Sequence, residues 1–357
     1  MEKGEPQAVN AEKFVVALTA DFYDGNGASK YRDLGLSVLA ENPRIEQRVF
    51  KEHRKQIEAE QIDGANGVIV LTPAVTAESV SDAGELLVIA RFGVGYDAVD
   101  VKACTAADVL VTITTGAVDR SVAEATIGWM IALSHNVRIK DGLVRAGQWD
   151  ERSRFMGREL RDRTLGVIGL GGIARKTITL LNGFGMKQPL AFDPFVTEEA
   201  ALKVGARLVG LEELLGQADF VSIHCPLTEK TRGLIGAREL ALMKPDAFLL
   251  NTARGGIVDE HALYDALKEH RIAGAALDCF AQEPVSTPSR FAELDNVLLA
   301  PHSIAWTEEL FRDIGRAACR VMVDLSLGRR PHGVLNPELF ERTSFQSKWK
   351  RFCNQEA

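Results

Sequence analysis

A chain of 357 residues with 46% apolar and 25% charged side chains has room for about two globular domains, each with a core of its own. Its net charge of -7 argues against a general nucleic-acid or anionic-membrane surface. No stretch approaches the roughly 18–20 apolar residues of a membrane span, and Met1–Lys13 has no signal-peptide core, so the cytoplasm is the expected location.

Taken in order, Met1–Glu12 reads as a disordered lead-in. Phe14–Ala20 is a short β-rich run, and Gly67–Leu71, Leu86–Arg91 and Leu110–Ile113 repeat it between polar or helix-prone segments. Short apolar strands alternating with helices mean a parallel α/β sheet. A long helical pattern follows, which Asp119 or Ser121 can cap, with Glu124 three residues after Ser121 as a capping box requires and apolar residues at Val122, Ala125, Trp129, Leu133 and Val137. It runs towards Gly142 or Gly147. A second series of six strands comes next: Leu165–Ile168, Leu190–Phe192, Phe220–His224, Ala247–Asn251, Ala273–Leu277 and Val297–Ala300. Helical segments such as Leu211–Leu215, Arg238–Met243 and Glu260–His270 separate most of them. A last helix is expected over Thr307–Leu327, folded back onto the first domain, and Thr343–Ala357 reads as a polar tail.

The second series begins at a recognisable turn. The strand Leu165–Ile168 stops at Gly169, Gly171 and Gly172, and Ala174–Leu181 looks helical. Strand, tight turn and helix start present backbone N–H groups to a phosphate, and Gly-x-Gly-x-x-Ala is the dinucleotide fingerprint. The acidic partner such a site needs stands near the right spacing at Asp193, closing Leu190–Phe192. Its carboxylate suits ribose hydroxyls and would repel a 2′-phosphate. No arginine follows in Pro194–Val196, so NAD is favoured over NADP.

Three residues at strand ends suit hydride chemistry on a hydroxy acid, which needs a cation for the carboxylate, a proton donor, and a partner for that donor. Arg254 precedes Gly255–Gly256 after the strand ending at Asn251, and its planar fork matches a carboxylate. Glu283 follows Ala273–Leu277, and His302 follows Val297–Ala300. Each alone also fits a plain structural role, as a surface arginine, a Glu-Pro turn or a strand cap. Together, after successive strands of one domain, they point to one site. Five cysteines, Cys104, Cys225, Cys279, Cys319 and Cys353, lack disulfide or zinc spacing, so reduced thiols and no bound metal are expected.

Six blocks in order resemble the D-isomer-specific 2-hydroxyacid dehydrogenase family, which includes phosphoglycerate dehydrogenases and glyoxylate/hydroxypyruvate reductases. They are Arg91–Asp97, Thr164–Ala174, His224–Thr228, Asn251–Glu260, Ala276–Phe280 with Glu283–Pro284, and Ala300–His302. The resemblance implies two Rossmann/flavodoxin-like domains with doubly wound parallel sheets and a cleft between them. The substrate domain would be 1–118 completed by 303–357, and the NAD-binding domain 119–302. It implies catalysis by Arg254, Glu283 and His302, and substrate binding by Val94, Gly95, Arg254 and His302. Cofactor contacts are implied at Gly169, Gly171, Gly172, Ile173, Asp193, Cys225, Pro226, Thr252, Ala253 and Asp278. It also makes the 121–150 segment a homodimer surface. The implied reaction interconverts a D-2-hydroxy acid and its 2-oxo acid by direct hydride transfer. Arg254 would hold the carboxylate, His302 exchange the proton, and Glu283 stabilise the imidazolium. An NAD(H)-sensing corepressor on the same scaffold is the alternative. Glu283, where formate dehydrogenases pair their histidine with glutamine, favours hydroxy-acid chemistry. Three departures bear on cofactor and substrate: Gly172 in place of arginine or histidine, Thr114–Thr115–Gly116 before the long helix, and Trp306 after His302.

Overall fold

The computed structural model describes residues 13–353, so the lead-in expected at Met1–Glu12 lies outside the described residues. The chain divides into two units, one running to Val118 and resuming at Thr307, the other spanning Asp119–Trp306.

The first unit holds five parallel strands: β1 (Phe14–Leu18), β2 (Ile45–Val49), β3 (Gly67–Val70), β4 (Val88–Arg91) and β5 (Leu110–Ile113). They lie in the order β2-β1-β3-β4-β5, the flavodoxin-like form of a doubly wound sheet. Strands β1, β3, β4 and β5 are the four apolar runs read from the sequence. Strand β2 is an addition. Its Ile-Glu-Gln-Arg-Val sequence is largely exposed, as suits an edge strand protected by charge. Helices α1 (Ala59–Ile62) and α2 (Val101–Ala106) lie between the strands, and the Asp100 side chain caps α2 by accepting from the Ala103 N–H.

The long helix expected up to Gly147 is two helices, α3 (Asp119–Ser134) and α4 (Val137–Arg145). Asn136 breaks it by taking a left-handed conformation, φ +53°, which asparagine tolerates better than most residues. Helix α3 packs on the second sheet through Ile127, Met130 and Leu133.

That sheet has seven parallel strands rather than six: β6 (Leu165–Ile168), β7 (Leu190–Phe192), β8 (Arg207–Leu208), β9 (Phe220–Ile223), β10 (Phe248–Asn251), β11 (Gly274–Leu277) and β12 (Val297–Leu299). The extra one, β8, is a two-residue edge strand too short for a periodic signal. The order is β12-β11-β10-β9-β6-β7-β8, so the winding reverses beside β6, between β7 and β9. Strands β6, β9, β10 and β11 are buried throughout, which explains their unbroken apolar runs. Helices α5 (Gly172–Leu180), α6 (Glu198–Leu202), α7 (Leu211–Gln217), α8 (Ala237–Leu242) and α9 (Glu260–Lys268) connect them. Asp219 anchors the start of β6: it accepts from the Thr164 N–H at 2.7 Å and pairs with Lys244 at 2.6 Å.

The chain returns to the first unit in α10 (Glu308–Ser326), capped by the Thr307 hydroxyl, which accepts from the Leu310 N–H. Residues 333–335 then run along the edge strand β5, and the Asn336 side chain bonds the Val111 N–H and the Val109 carbonyl. The polar tail expected from Thr343 is instead a helix, α11 (Thr343–Phe352). Phe345 and Phe352 bury one face of it, and the Trp349 indole N–H donates to the Leu325 carbonyl at 2.8 Å. Apolar contacts at 345, 349 and 352 follow helical spacing, hidden in the sequence by the polar residues between them.

Candidate active site

The C-terminal ends of six strands of the second sheet gather the residues singled out in the sequence, at the edge where doubly wound sheets bind ligands. Gly169 follows β6 with φ +92°. A Cβ there would lie 2.8 Å from the Cys225 nitrogen, so only glycine lets this turn pass the end of β9. Gly171 and Gly172 are exposed and lead into α5, with Ile173 half-buried. Asp193, at the end of β7, ties the two turns together. Its Oδ2 accepts from the Leu170 N–H at 2.8 Å and its Oδ1 from the Phe195 N–H at 2.9 Å.

After β9, His224 places Nε2 2.9 Å from the Ser222 hydroxyl, and burial pushes its imidazole down to about 4, so the ring is neutral at physiological pH. Burial likewise pushes the Cys225 thiol up to about 11, which makes it a poor nucleophile. Pro226 is exposed, and its carbonyl accepts from the Thr231 hydroxyl at 2.6 Å. After β10, Thr252 keeps a buried Oγ1 that no described residue bonds, and Ala253 lies beside it. The glycine turn and this orphaned hydroxyl are features that a dinucleotide would complete, so the residues present fit that cofactor.

Arg254, Glu283 and His302 also meet in this region. The Glu283 Oε2 lies 2.7 Å from the His302 Nδ1, and its Oε1 accepts from the Phe280 N–H at 2.8 Å. Burial alone pushes the Glu283 carboxyl up. The bonds to His302 and Phe280, with the charges of His302 and Arg254, outweigh that and hold it below its ordinary value. The Arg254 Nη1 donates to the Ala253 carbonyl at 2.6 Å. The His302 and Glu283 side chains keep 45% and 33% of their surface exposed, so the pair is open to a ligand.

Other residues hold this group in place. His302 takes φ +53°, uncommon for a residue other than glycine, and a buried aspartate holds it. The Asp278 carbonyl accepts from the His302 N–H at 2.8 Å, and Asp278 Oδ1 accepts from the Ser303 and Ile304 N–H groups at 2.8 and 3.1 Å. Burial pushes the Asp278 carboxyl up despite those bonds. Asn251, to which the sequence reading gives no role, turns the chain into Arg254. Its Nδ2 donates to the Arg254 carbonyl at 2.9 Å and its Oδ1 accepts from the Ala253 N–H at 3.1 Å.

Asp119, a candidate cap of the long helix, is instead the first residue of α3. Its carboxylate fills the space where a Cβ on Gly172 would lie, at the first turn of α5. Burial pushes this carboxyl above its ordinary value, against the pull of Lys176. A side chain at position 172 would have to displace the Asp119 carboxylate.

In the first unit, Val94 and Gly95 lie half-buried in the turn after β4. Among the described residues, nothing accepts a hydrogen bond from either N–H. The neighbouring Gly93 carbonyl is held by the Thr114 N–H at 3.0 Å, and the buried Thr114 hydroxyl has no partner among the described residues. Trp306, the last residue of the second unit, is 55% exposed.

Comparison with known proteins gives this geometry its context. The family model for the D-isomer specific 2-hydroxyacid dehydrogenase NAD binding domain matches residues 127–303. The D-3-phosphoglycerate dehydrogenase of Methanocaldococcus jannaschii is 40% identical over 78% of this chain and 53% of its own length. The chain thus spans about half the length of this and a second archaeal phosphoglycerate dehydrogenase that it matches. The glyoxylate reductase of Korarchaeum cryptofilum is 35% identical over 85% of this chain and 93% of its own. An acyclic imino acid reductase solved with NADPH and D-Arg superposes with a TM-score of 0.75 at 25% identity, covering 89% of this chain and 99% of that one. With ordered sequence blocks, two parallel doubly wound sheets and a relative matched over nearly its whole length, the chain belongs to the D-isomer specific 2-hydroxyacid dehydrogenase family.

Proposed function

We propose that the protein interconverts a small D-2-hydroxy acid and its 2-oxo acid, with Arg254, Glu283 and His302 as its catalytic residues. The observation that carries this reading is the 2.7 Å contact between Glu283 and the His302 Nδ1, in a group that also includes Arg254. When bound, a nicotinamide supplies or accepts the hydride. Arg254 holds the substrate carboxylate and polarises the 2-oxo group, leaving its contact with the Ala253 carbonyl to do so. With Nδ1 engaged by Glu283, His302 has Nε2 for the substrate oxygen, giving a proton on reduction and taking one on oxidation. The Glu283 carboxylate stabilises the imidazolium while that proton is held.

The cofactor in this proposal is NAD rather than NADP. Asp193 would face a 2′-phosphate with a carboxylate, and Pro194, Phe195 and Val196 bring no cation to offset it. Gly169, Gly171, Gly172 and Ile173 receive the pyrophosphate. Cys225, Pro226, Thr252, Ala253 and Asp278 line the rest of the site. Exposed Val144, Trp149 and Met156, at 64%, 63% and 80%, support a homodimer surface around the 121–150 segment.

The test uses Arg254→Ala and His302→Ala on the 2-oxo acid that the wild type reduces fastest. Both variants bind NADH like the wild type, while kcat/KM falls by about 100-fold or more. Near-normal turnover in either variant would remove that residue from the mechanism.

A further inference from the structure

The sequence reading expects no metal, because no two cysteines have ligand spacing. The fold nevertheless brings three unlike donors together at the ends of β11 and β12. The Cys279 Sγ, one Glu283 carboxylate oxygen and one His302 ring nitrogen all lie within 4.8 Å of one another. Cys279 is 2% exposed and rests its thiol on the Ala253 carbonyl at 3.3 Å. Glu283 and His302 are both partly open to water. The cluster therefore joins one buried donor to two partly exposed ones.

Thiolate, imidazole and carboxylate are the donors zinc prefers, at about 2.0–2.3 Å from the ion. Around one tetrahedral ion such donors stand about 3.3–3.8 Å apart. Gathering a set that lies within 4.8 Å requires shifts of about 1 Å, which side-chain rotation of Glu283 and His302 provides. The turn carrying His302 is already fixed by three bonds to Asp278, so the backbone contributes a rigid frame. Among the described residues no fourth donor joins the group, which leaves one position for water, the arrangement of an open rather than a structural site. A sulfur donor disfavours magnesium and calcium, which take oxygen ligands.

We propose that Cys279, Glu283 and His302 form an inhibitory Zn2+ site. The ion replaces the hydrogen bond between Glu283 and His302. Binding forms a Zn–S bond as the Cys279 thiol gives its proton to solvent, the imidazole coordinates through a ring lone pair, and the carboxylate binds ionised; no electrons are transferred. Zinc and the hydroxy-acid reaction then compete for the same imidazole. The inhibitory consequence rests on the dehydrogenase reading, whereas the binding site does not.

The test begins with Co2+ titrated into the full chain without cofactor. The wild type develops a thiolate-to-cobalt band in the near ultraviolet and the visible bands of tetrahedral cobalt, and Zn2+ abolishes both. Cys279→Val loses the near-ultraviolet band, and Cys279→Ser provides the same comparison should the valine variant fail to bind NADH. In turnover, the free Zn2+ that halves the rate rises by about 100-fold or more in Cys279→Val, at least the loss expected on removing a supporting group of a metal site. Without Zn2+ the variant turns over like the wild type. A cobalt band that persists in both variants, no band in the wild type, or equal zinc inhibition of wild type and variant would overturn the site. A Cys279-dependent band in a protein that reduces no 2-oxo acid supports the metal site and sinks the dehydrogenase reading alone.

Discussion

At the scale of single residues, the balance between Asp119 and Gly172 decides how the glycine turn can work. The Asp119 carboxylate lies beside Gly172 in the first turn of α5, close to the helix end that the fingerprint offers to a phosphate. The same carboxylate stands where a side chain at 172 would begin, so any residue larger than glycine there would have to displace it. Asp119→Asn is expected to tighten NADH binding by about tenfold, on the scale of charge effects at a helix terminus. Fluorescence titration checks this, and unchanged or weaker binding would contradict the account. Much of the site was legible because its residues follow apolar strands directly: Gly169, Asp193, Arg254 and His302 each end a run that could be seen. The contact of Asp119 with the glycine turn, the role of Asn251 and the bracing role of Asp278 were not legible. Their importance comes from neighbours brought close by folding, and a carboxylate or amide in a loop carries no such signal by itself.

At the scale of elements, helix α11 shows what a polar composition can conceal. Lys348 lies inside that helix and donates to the Leu86 carbonyl at 2.9 Å, with the Ala107 and Ala83 carbonyls at 3.3 and 3.4 Å. Burial pushes its amine down to about 8 from the ordinary 10.5, against the pull of Asp108. The sign follows from proton counting. Below pH 8 both folded and unfolded chains hold the proton, and the folded state bears the full cost of a buried charge. Between about pH 8 and 10.5 the unfolded chain holds more protons, so this residue's contribution to stability rises with pH. Denaturant unfolding of wild type and Lys348→Met at pH 7.5 and pH 10 separates this from other groups, which titrate in both. The stability of the wild type relative to the variant should rise at pH 10, and a constant or falling difference would contradict the buried-amine account. The other elements the sequence concealed have equally physical causes. Strand β2 is a charged edge, β8 has two residues, and the break at Asn136 depends on a single left-handed residue inside an otherwise continuous helical pattern.

At the scale of the whole molecule, two parallel α/β sheets of five and seven strands agree with the fold class read from alternating strands and helices. Among the described residues no helix is long and apolar enough to cross a membrane. Assembly is a matter of surface chemistry: Val144, Trp149 and Met156 are large, apolar and exposed within one short segment. Trp149→Glu is expected to halve the particle mass seen by light scattering, and a wild type that already runs as one chain would contradict the dimer. Hydride transfer to a 2-oxo acid can be read out in one screen. Wild-type protein is mixed with NADH or NADPH and a panel of 2-oxo acids, including glyoxylate, hydroxypyruvate and larger acids, while coenzyme oxidation and product chirality are followed. The account predicts NADH oxidation equal to hydroxy acid formed, the D-enantiomer wherever the product is chiral, and a clear preference over NADPH. Tight NADH binding with no 2-oxo acid reduced would contradict it.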